Sequence, residues 1–214
     1  MKMYEDRKDA AEKLIPALEK YKGAKDAVIL AIPRGALEIG EVLREKLNLP
    51  LDIVVTKKIG APGNEEFAIG VVDPDGNFTY NQEVAATYSI PLSYIKEEAE
   101  RLKHVIKRRY EDYRGSPTPP DLKGKICIVV DDGIATGHTT EAAVKYLRHQ
   151  KANKIVLAVP VSAVDSAARL EKEVDEFICL ERPLDFYAVG QFYADFPQVS
   201  DEEAKKILGL SKGN

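Results

Sequence analysis

Residues Ile126 to Thr140 read ICIVVDDGIATGHTT and join an apolar strand, an acidic pair and a small-residue loop that opens a helix. The run ICIVV is rich in β-branched residues without a polar break, which is typical of a strand covered on both faces of a sheet. Asp131 and Asp132 follow at its carboxyl end, before the amphipathic segment TTEAAVKYLRHQ. This order predicts an α/β fold whose ligands lie beyond the carboxyl ends of the strands.

Further apolar runs alternate with helical patterns along the 214 residues. In segment 36–47 the apolar residues recur at spacings of three and four, which predicts a helix joining two parallel strands. The chain is therefore predicted to be one α/β domain, residues 1–214, with a doubly wound, mainly parallel sheet flanked by helices. The predicted strands are 28–32, 51–55, 126–130, 155–159 and 176–180.

One segment departs from this alternation. Two apolar runs flank Asp73-Pro74-Asp75-Gly76, a turn sequence that predicts an antiparallel hairpin. Together with the loop before it, residues 57–80 are expected to form a flap beside the parallel sheet.

Two further helices are predicted after the hairpin. Segment 91–114 has apolar residues at helical spacing, and we interpret its basic residues, Arg109 among them, as a solvated face balanced by glutamates. Ser162 followed by Asp165 predicts a capping box for the helix after the fourth strand.

The composition limits the classes of partner. Thirty-one Lys and Arg against 35 Asp and Glu give a formal net charge of −4, so no general positive field attracts nucleic acid or an anionic membrane. The start MKMYEDRKDAAEKL is charged where a signal peptide is apolar, and no apolar run approaches the roughly 20 residues that span a bilayer. Two cysteines without a CxxC pair indicate reduced thiols. We therefore expect a cytoplasmic protein with neither nucleic-acid nor membrane partners.

The loop after the acidic pair has the composition of an anion site. Gly137 allows close approach of the backbone to a ligand, the Thr136 and Thr139 hydroxyls can donate, and amides at the helix start favour a negative charge. Asp131 and Asp132 are unsuited to the anion itself but suit the hydroxyls of an attached sugar, or a divalent cation bound with it. These residues predict a site for a sugar phosphate with a vicinal diol.

The sequence VVDDGIATGHT resembles the signature of the type I phosphoribosyltransferases: apolar residues, two acidic residues, small residues and Thr-Gly-x-Thr. Over nearly the whole chain the resemblance extends to a subgroup known only as predicted phosphoribosyltransferases. It implies phosphoribosyl pyrophosphate (PRPP) as the donor, bound with Mg²⁺, and a homodimer. Asp131 and Asp132 would bind the ribose hydroxyls and hold Mg²⁺ mainly through PRPP and water. The 5′-phosphate would bind to Ala135, Thr136, Gly137, His138 and Thr139.

Two other segments resemble parts of the same family. Pro33, Arg34 and Gly35 follow the first strand like the family's pyrophosphate loop, in which Arg34 would bind the leaving group. The segment TKKIGAPG after the second strand resembles the flexible catalytic loop, and its Lys57 and Lys58 would close over the substrate. The resemblance thus implies catalytic roles for Arg34, Lys57 and the acidic pair, and substrate binding by the other residues of these loops.

The acceptor is less well defined by the sequence. Residues 181–200 are expected to form the family's hood over the acceptor. Their aromatic residues, Tyr187 and Phe192 as candidates, can stack on a flat heterocycle, and packing of the tail explains them equally well. Ala135 stands where relatives acting on hypoxanthine or guanine carry an Asp, which disfavours a 6-oxopurine.

Three functions are consistent with the motif to different degrees. The expected one is a Mg²⁺-dependent phosphoribosyltransferase of nucleotide metabolism, acting on a small nitrogen heterocycle in nucleobase salvage. The first alternative is a PRPP-binding regulatory protein without turnover, which the presence of Arg34 and Lys57 and the lack of a strong basic face disfavour. The second is a phosphatase or phosphosugar isomerase that uses the acidic pair, which leaves the Thr-Gly-x-Thr segment unexplained.

Overall fold

The computed structural model describes residues 2–210, without the side chain of Glu66. The predicted domain boundary of 1–214 therefore lies partly outside the described residues. Within them, no helix is both long and apolar enough to cross a membrane.

Five parallel strands form the central sheet, in the order β2-β1-β6-β7-β8. In β1 every residue is buried, and β6 and β7 are buried except at their first residue, which is the pattern of strands covered on both faces. The predicted parallel α/β sheet is confirmed. Numbered along the chain, its strands are β1 Ala27–Ala31, β2 Leu51–Ile53, β6 Ile126–Val130, β7 Lys154–Val161 and β8 Glu176–Glu181.

Helices cover both faces of this sheet. Because side chains alternate along a strand, Ile128 and Val130 face a core shared with α1 and α2, whereas Cys127 and Val129 face a core shared with α5. The doubly wound arrangement follows from this alternation. The helices are α1 Arg7–Leu18, α2 Ala36–Leu47, α3 Gln82–Thr87, α4 Leu92–Arg114, α5 His138–His149, α6 Val164–Leu170 and α7 Asp201–Ile207.

A second, antiparallel sheet has the order β3-β4-β5, with β3 Lys57–Ala61, β4 Asn64–Val72 and β5 Phe78–Tyr80. The predicted hairpin is confirmed, and the Asp73 carboxylate accepts the amides of Asp75 and Asn77 at 2.9 Å to form its turn. Within the segment 57–80, for which we expect a flexible loop and a hairpin, residues 57–61 are not irregular but pair with β4. That run is short and contains Gly60, so pairing across the hairpin decides its conformation. The flexibility of the segment stays a prediction.

Of two helix boundaries predicted from the sequence, the end of α4 agrees with the structure and the start of α6 does not. The long helix α4 ends at Gly115, whose φ of 70° lies in the left-handed region. The predicted capping box of α6 is wrong, because α6 begins after Ala163 without a side-chain cap. Ser162 is instead buried at a bridge to Ile134 and donates its hydroxyl to the Ala163 carbonyl at 3.1 Å. The extension of the sheet beyond β7 thus takes Ser162 out of the capping position.

Candidate functional site

The loop between β6 and α5 offers backbone amides to a ligand. Gly137 has a φ of 74°, which glycine adopts at little cost. Among the described residues, the amides of 135–139 have no hydrogen-bond acceptor. The loop's carbonyls are bonded, since Ser166 donates to Ala135 at 2.6 Å and Arg169 donates to Thr136. Consecutive free amides at the start of a 12-residue helix form an anion site.

Thr136 and Thr139 leave their hydroxyls available beside these amides. The Thr139 carbonyl accepts the Thr56 hydroxyl at 3.2 Å, which ties the loop of residues 135–139, called the phosphate loop below, to the segment that leads into β3. His138 is exposed at the first position of α5 and lines a separate cavity of about 340 Å³ between that helix and the strands β4 and β5. The loop therefore presents free amides, and phosphate binding by its residues, His138 included, stays a prediction.

The acidic pair lies at the end of β6, and its two carboxyl groups lie within hydrogen-bonding reach of each other. Asp131 faces α5, where it accepts the Asp132 amide at 2.9 Å and the Thr140 hydroxyl at 3.4 Å. Burial raises the pKa of Asp131 well above its usual range, and the neighbouring charge of Asp132 adds to this. A nearby positive charge or a hydroxyl donor would stabilise the ionised form of Asp131 against this effect of burial.

Asp132 faces α1 and α2, where its Oδ2 atom pairs with the Arg7 Nε atom at 2.8 Å. Burial raises the pKa of Asp132, and the Arg7 guanidinium opposes this rise. Gly35 packs against the same carboxylate, and a Cβ atom at this position would lie 2.1 Å from Asp132 Oδ2. Gly35 thus allows the loop after β1 to approach the end of β6 closely. Arg7 is a part of the site that sequence reasoning missed.

Three cationic side chains meet in a cavity of about 260 Å³ beyond β1 and β2. Arg34 and Lys57, both predicted, line this cavity together with Arg109 of α4, and Pro33 lines it at the cis peptide bond before Arg34. Burial lowers the pKa of Lys57, and the positive charges of Arg109 and Arg34 lower it further. The concentration of positive charge suits a polyvalent anion.

Arg109 corrects our interpretation of α4 as carrying only a solvated basic face. It lies three residues after the buried Ile106 and four before the buried Tyr113, so it flanks the apolar stripe of the helix. That position beside the apolar stripe is the sequence signal that could have separated Arg109 from the solvated basic residues of α4. Lys58, by contrast, is exposed and lines a neighbouring cavity of about 370 Å³. Lys57 lines both this cavity and the cationic cavity of about 260 Å³.

An acidic residue of the last helix reaches the same cations. The Asp201 carboxylate pairs with Arg34 at 3.1 Å and Arg109 at 3.0 Å, and the Tyr113 hydroxyl donates to it. The Tyr113 hydroxyl and then the two guanidinium groups lower the pKa of Asp201. A carboxylate thus already contacts the cations that an anionic ligand would use.

The hood segment 181–200 is irregular apart from a short 3₁₀ turn at Val189–Phe192. It packs on the acidic end of β6, where the Tyr193 hydroxyl donates to the Asp132 carbonyl at 2.6 Å. Tyr187 is 87% exposed and free to stack. The prediction of stacking by Phe192 is wrong, because its ring is 2% exposed and packs on Phe186 with centroids 4.9 Å apart.

These parts define a binding site for a ligand with two anionic groups. The phosphate loop and the cationic cavity would each hold one of them, and the acidic pair lies at the strand end between these loops. In the described part of the chain, no group of three His, Cys, Asp or Glu residues could hold a metal by itself. Two hard carboxylates beside a phosphate ligand nevertheless fit Mg²⁺, which uses one or two carboxylates plus ligand oxygens and water.

The chain is similar to known proteins over most of its length. A family model described as a phosphoribosyl transferase domain matches residues 1–197. A Mycobacterium tuberculosis H37Rv protein, which its name assigns provisionally to the phosphoribosyl transferases, is 36% identical over 97% of this chain and 47% of its own length. The chain thus spans about half of that curated relative. The crystal structure of TT1426 from Thermus thermophilus matches with a TM-score of 0.79 and 36% identity, over 97% of this chain and 98% of that one.

Proposed function

Because the chain belongs to the phosphoribosyl transferase family, we propose that it is a Mg²⁺-dependent enzyme that transfers the 5-phosphoribosyl group of PRPP to a nitrogen of a nucleobase-like acceptor. The observation that carries this proposal is the presence of two anion sites, one of amides and one of cations, with the acidic pair at the strand between them. PRPP has the matching order of groups: a phosphate, a ribose with a vicinal diol and a pyrophosphate.

The donor binds in one orientation. Its 5′-phosphate lies on the amides of 135–139, and its ribose hydroxyls bond to the carboxyl groups of Asp131 and Asp132. Its pyrophosphate lies in the cationic cavity, against Arg34, Lys57 and Arg109.

The transfer exchanges one bond at the anomeric carbon for another. The C1′–O bond breaks and its electron pair leaves with pyrophosphate, while the acceptor nitrogen supplies the pair of the new C1′–N bond and loses its proton to solvent. The positive charge that develops on the ribose, as in glycoside hydrolysis, is favoured by the acidic pair. Arg34, Lys57 and Arg109 stabilise the charge of the leaving group, so positioning and electrostatics do most of the work. When bound, Mg²⁺ would neutralise pyrophosphate oxygens and hold them in place.

The acceptor is a flat nitrogen heterocycle bound beside the hood, with the exposed Tyr187 as its stacking candidate. The two cysteines are free, which suits the reducing cytoplasm in which we propose that the enzyme acts in nucleobase salvage. A homodimer is proposed from the family resemblance alone.

The test is an assay of pyrophosphate release from PRPP with a panel of free bases, with PRPP binding measured by calorimetry in the presence of Mg²⁺. We expect PRPP to bind and at least one base to release pyrophosphate. Binding without release on any base would favour the regulatory alternative, for which the intact phosphate loop is the supporting observation. Absence of PRPP binding would contradict the proposed function.

A further inference from the structure

Arg7 is a buried cation at the first position of α1, far in sequence from every motif of the site. Its side chain is 5% exposed. Burial of a charged group is costly unless all its donors are satisfied, and a buried ion pair gives no more stability on average than apolar packing of the same volume. The contacts of Arg7 therefore call for a reason beyond stability.

Those contacts join three parts of the site. The Nε atom donates to Asp132 Oδ2 at 2.8 Å, and the Nη1 atom donates to Glu38 Oε2 at 3.1 Å and to the Pro197 carbonyl at 2.8 Å. The guanidinium carbon lies 3.8 Å from the centre of the Phe196 ring. One planar group thus connects the end of β6, the start of α2 and the last part of the hood.

Part of the Asp132 carboxylate remains accessible to a ligand. Arg7 engages Oδ2, and the carboxyl group also lies within hydrogen-bonding reach of that of Asp131. The Asp132 side chain nevertheless keeps 16% of its surface exposed. Gly35 closes the other side of the carboxylate, which restricts its rotation.

We propose that Arg7 is a positioning residue for phosphoribosyl transfer: it fixes Asp132 so that the exposed part of its carboxylate faces the ribose hydroxyls, and it anchors the hood at Phe196 and Pro197 to the same carboxylate. The inference rests on the proposed function and assigns a role that the family signature does not contain. Orientation of a ligand group by an outer residue is worth about 10- to 100-fold in comparable sites.

The first experiment compares variants in the pyrophosphate-release assay. Arg7→Met keeps an apolar stem and removes all donors, and we expect the KM for PRPP to rise about 10- to 100-fold with a smaller change in kcat. Arg7→Lys should recover part of this loss, because an ammonium group can reach Asp132 but cannot also bond to Glu38 and Pro197. In an Asp132→Asn background, Arg7→Met should have little further effect, because the arginine acts through that carboxylate.

The matched control is Arg114→Met. Arg114 is also partly buried and pairs with Asp52 at 2.7 Å, outside the site. This variant should lose stability without a change in the KM for PRPP. An unchanged KM in Arg7→Met, or equal losses in the wild-type and Asp132→Asn backgrounds, would overturn the inference. If Arg7→Met does not fold, the KM for PRPP is compared between Arg7→Lys and the wild type instead, and an unchanged KM would overturn the inference.

A second measurement does not depend on catalysis. Amide hydrogen exchange at Ala194 and Asp195, whose amides donate to the Tyr4 and Glu5 carbonyls, should be faster in Arg7→Met than in wild type. It should be unchanged in Arg114→Met, since Arg7 holds the adjoining residues Phe196 and Pro197 and Arg114 does not contact the hood. Unchanged exchange in Arg7→Met would contradict the anchoring role. Failure of the proposed function appears separately, as absence of PRPP binding in the wild-type protein.

Discussion

Gly35 is the residue at which the site leaves least room for a side chain. A Cβ atom there would lie 2.1 Å from Asp132 Oδ2 and 2.9 Å from Arg7 Nε. Gly35→Ala should therefore push Asp132 away from Arg7 and lower the free energy of unfolding by about 1–3 kcal/mol. Urea denaturation measures this loss, and calorimetry should show weaker binding of PRPP. Unchanged binding would mean that the position of Asp132 does not matter for the donor.

Lys57 offers a test of where charge develops during the reaction. Its amine is half-buried beside Arg34 and Arg109, and burial lowers its pKa. Lys57→Ala should reduce kcat by about 100-fold, the effect of removing one preorganised charge from a leaving group, with a smaller loss of PRPP affinity. Steady-state kinetics and calorimetry separate the two quantities. Lys25→Ala, which removes an exposed lysine before β1, is the control. Equal losses in affinity and no loss in kcat would contradict the role.

At the scale of single residues, the sequence predicts those parts of the candidate site whose residues are contiguous in the chain. The phosphate loop and the acidic pair form one segment, so their chemistry can be read from spacing alone. Arg7 and Asp201 reach the site from the two ends of the chain, and no local pattern connects either of them with residues 131–139. Phe192 shows the opposite difficulty, because an aromatic residue in a tail serves packing as readily as stacking.

At the scale of elements, α4 was predictable and β3 was not. The 23 residues of α4 repeat an apolar stripe over several turns, which is a strong periodic signal. The five residues of β3 contain one glycine and two adjacent lysines, and pairing with β4 makes them a strand. Gly60 is needed in that pairing, since a Cβ atom there would lie 2.5 Å from the Glu65 Cα atom. Lys57 is thereby held on a strand next to the cavity.

At the scale of elements, helix α7 supplies the Asp201 carboxylate to the cationic cavity. The effect of removing this negative charge can be predicted. Asp201 pairs with Arg34 and Arg109, so it competes with any anion for the same donors. Asp201→Asn should tighten the binding of pyrophosphate by about two- to fivefold, the range expected for exposed ion pairs. The Ser200–Glu203 capping box remains and should keep the helix folded.

Calorimetry with pyrophosphate measures the effect of Asp201→Asn. Glu202→Gln is the matched control, because it removes an exposed charge from the same helical turn. Its affinity for pyrophosphate should equal that of the wild type. Weaker binding in Asp201→Asn would show that the carboxylate orders the two arginines rather than competing for them.

At the scale of the whole molecule, the two ends of the parallel sheet have different tasks. The carboxyl ends carry the loops of the site, as expected for a doubly wound sheet. The amino ends carry an ion cluster, in which Glu176 of β8 pairs with Lys154 of β7 at 2.9 Å and with Lys20, and accepts the Tyr21 hydroxyl at 2.5 Å. This arrangement predicts a separation of stability from ligand binding, in which substitutions at the amino ends change stability without changing ligand binding.

Glu176 makes this separation measurable. Burial alone would raise its pKa, but the hydrogen bonds from Lys20, Tyr21 and Lys154 prevail and lower it to about 2. A carboxyl group with a lowered folded-state pKa stabilises the fold above its unfolded-state value, and this stability is lost as the pH falls from the unfolded value toward the folded one. Glu176→Gln should therefore lower the free energy of unfolding at pH 7 by about 1–2 kcal/mol, allowing for partial exposure of the cluster. The difference from the wild type should shrink between pH 5 and about pH 2, as followed by urea denaturation across that range. PRPP binding at pH 7 should be unchanged, because the cluster lies at the opposite ends of the strands from the phosphate loop, and a loss of binding in this variant would contradict the separation.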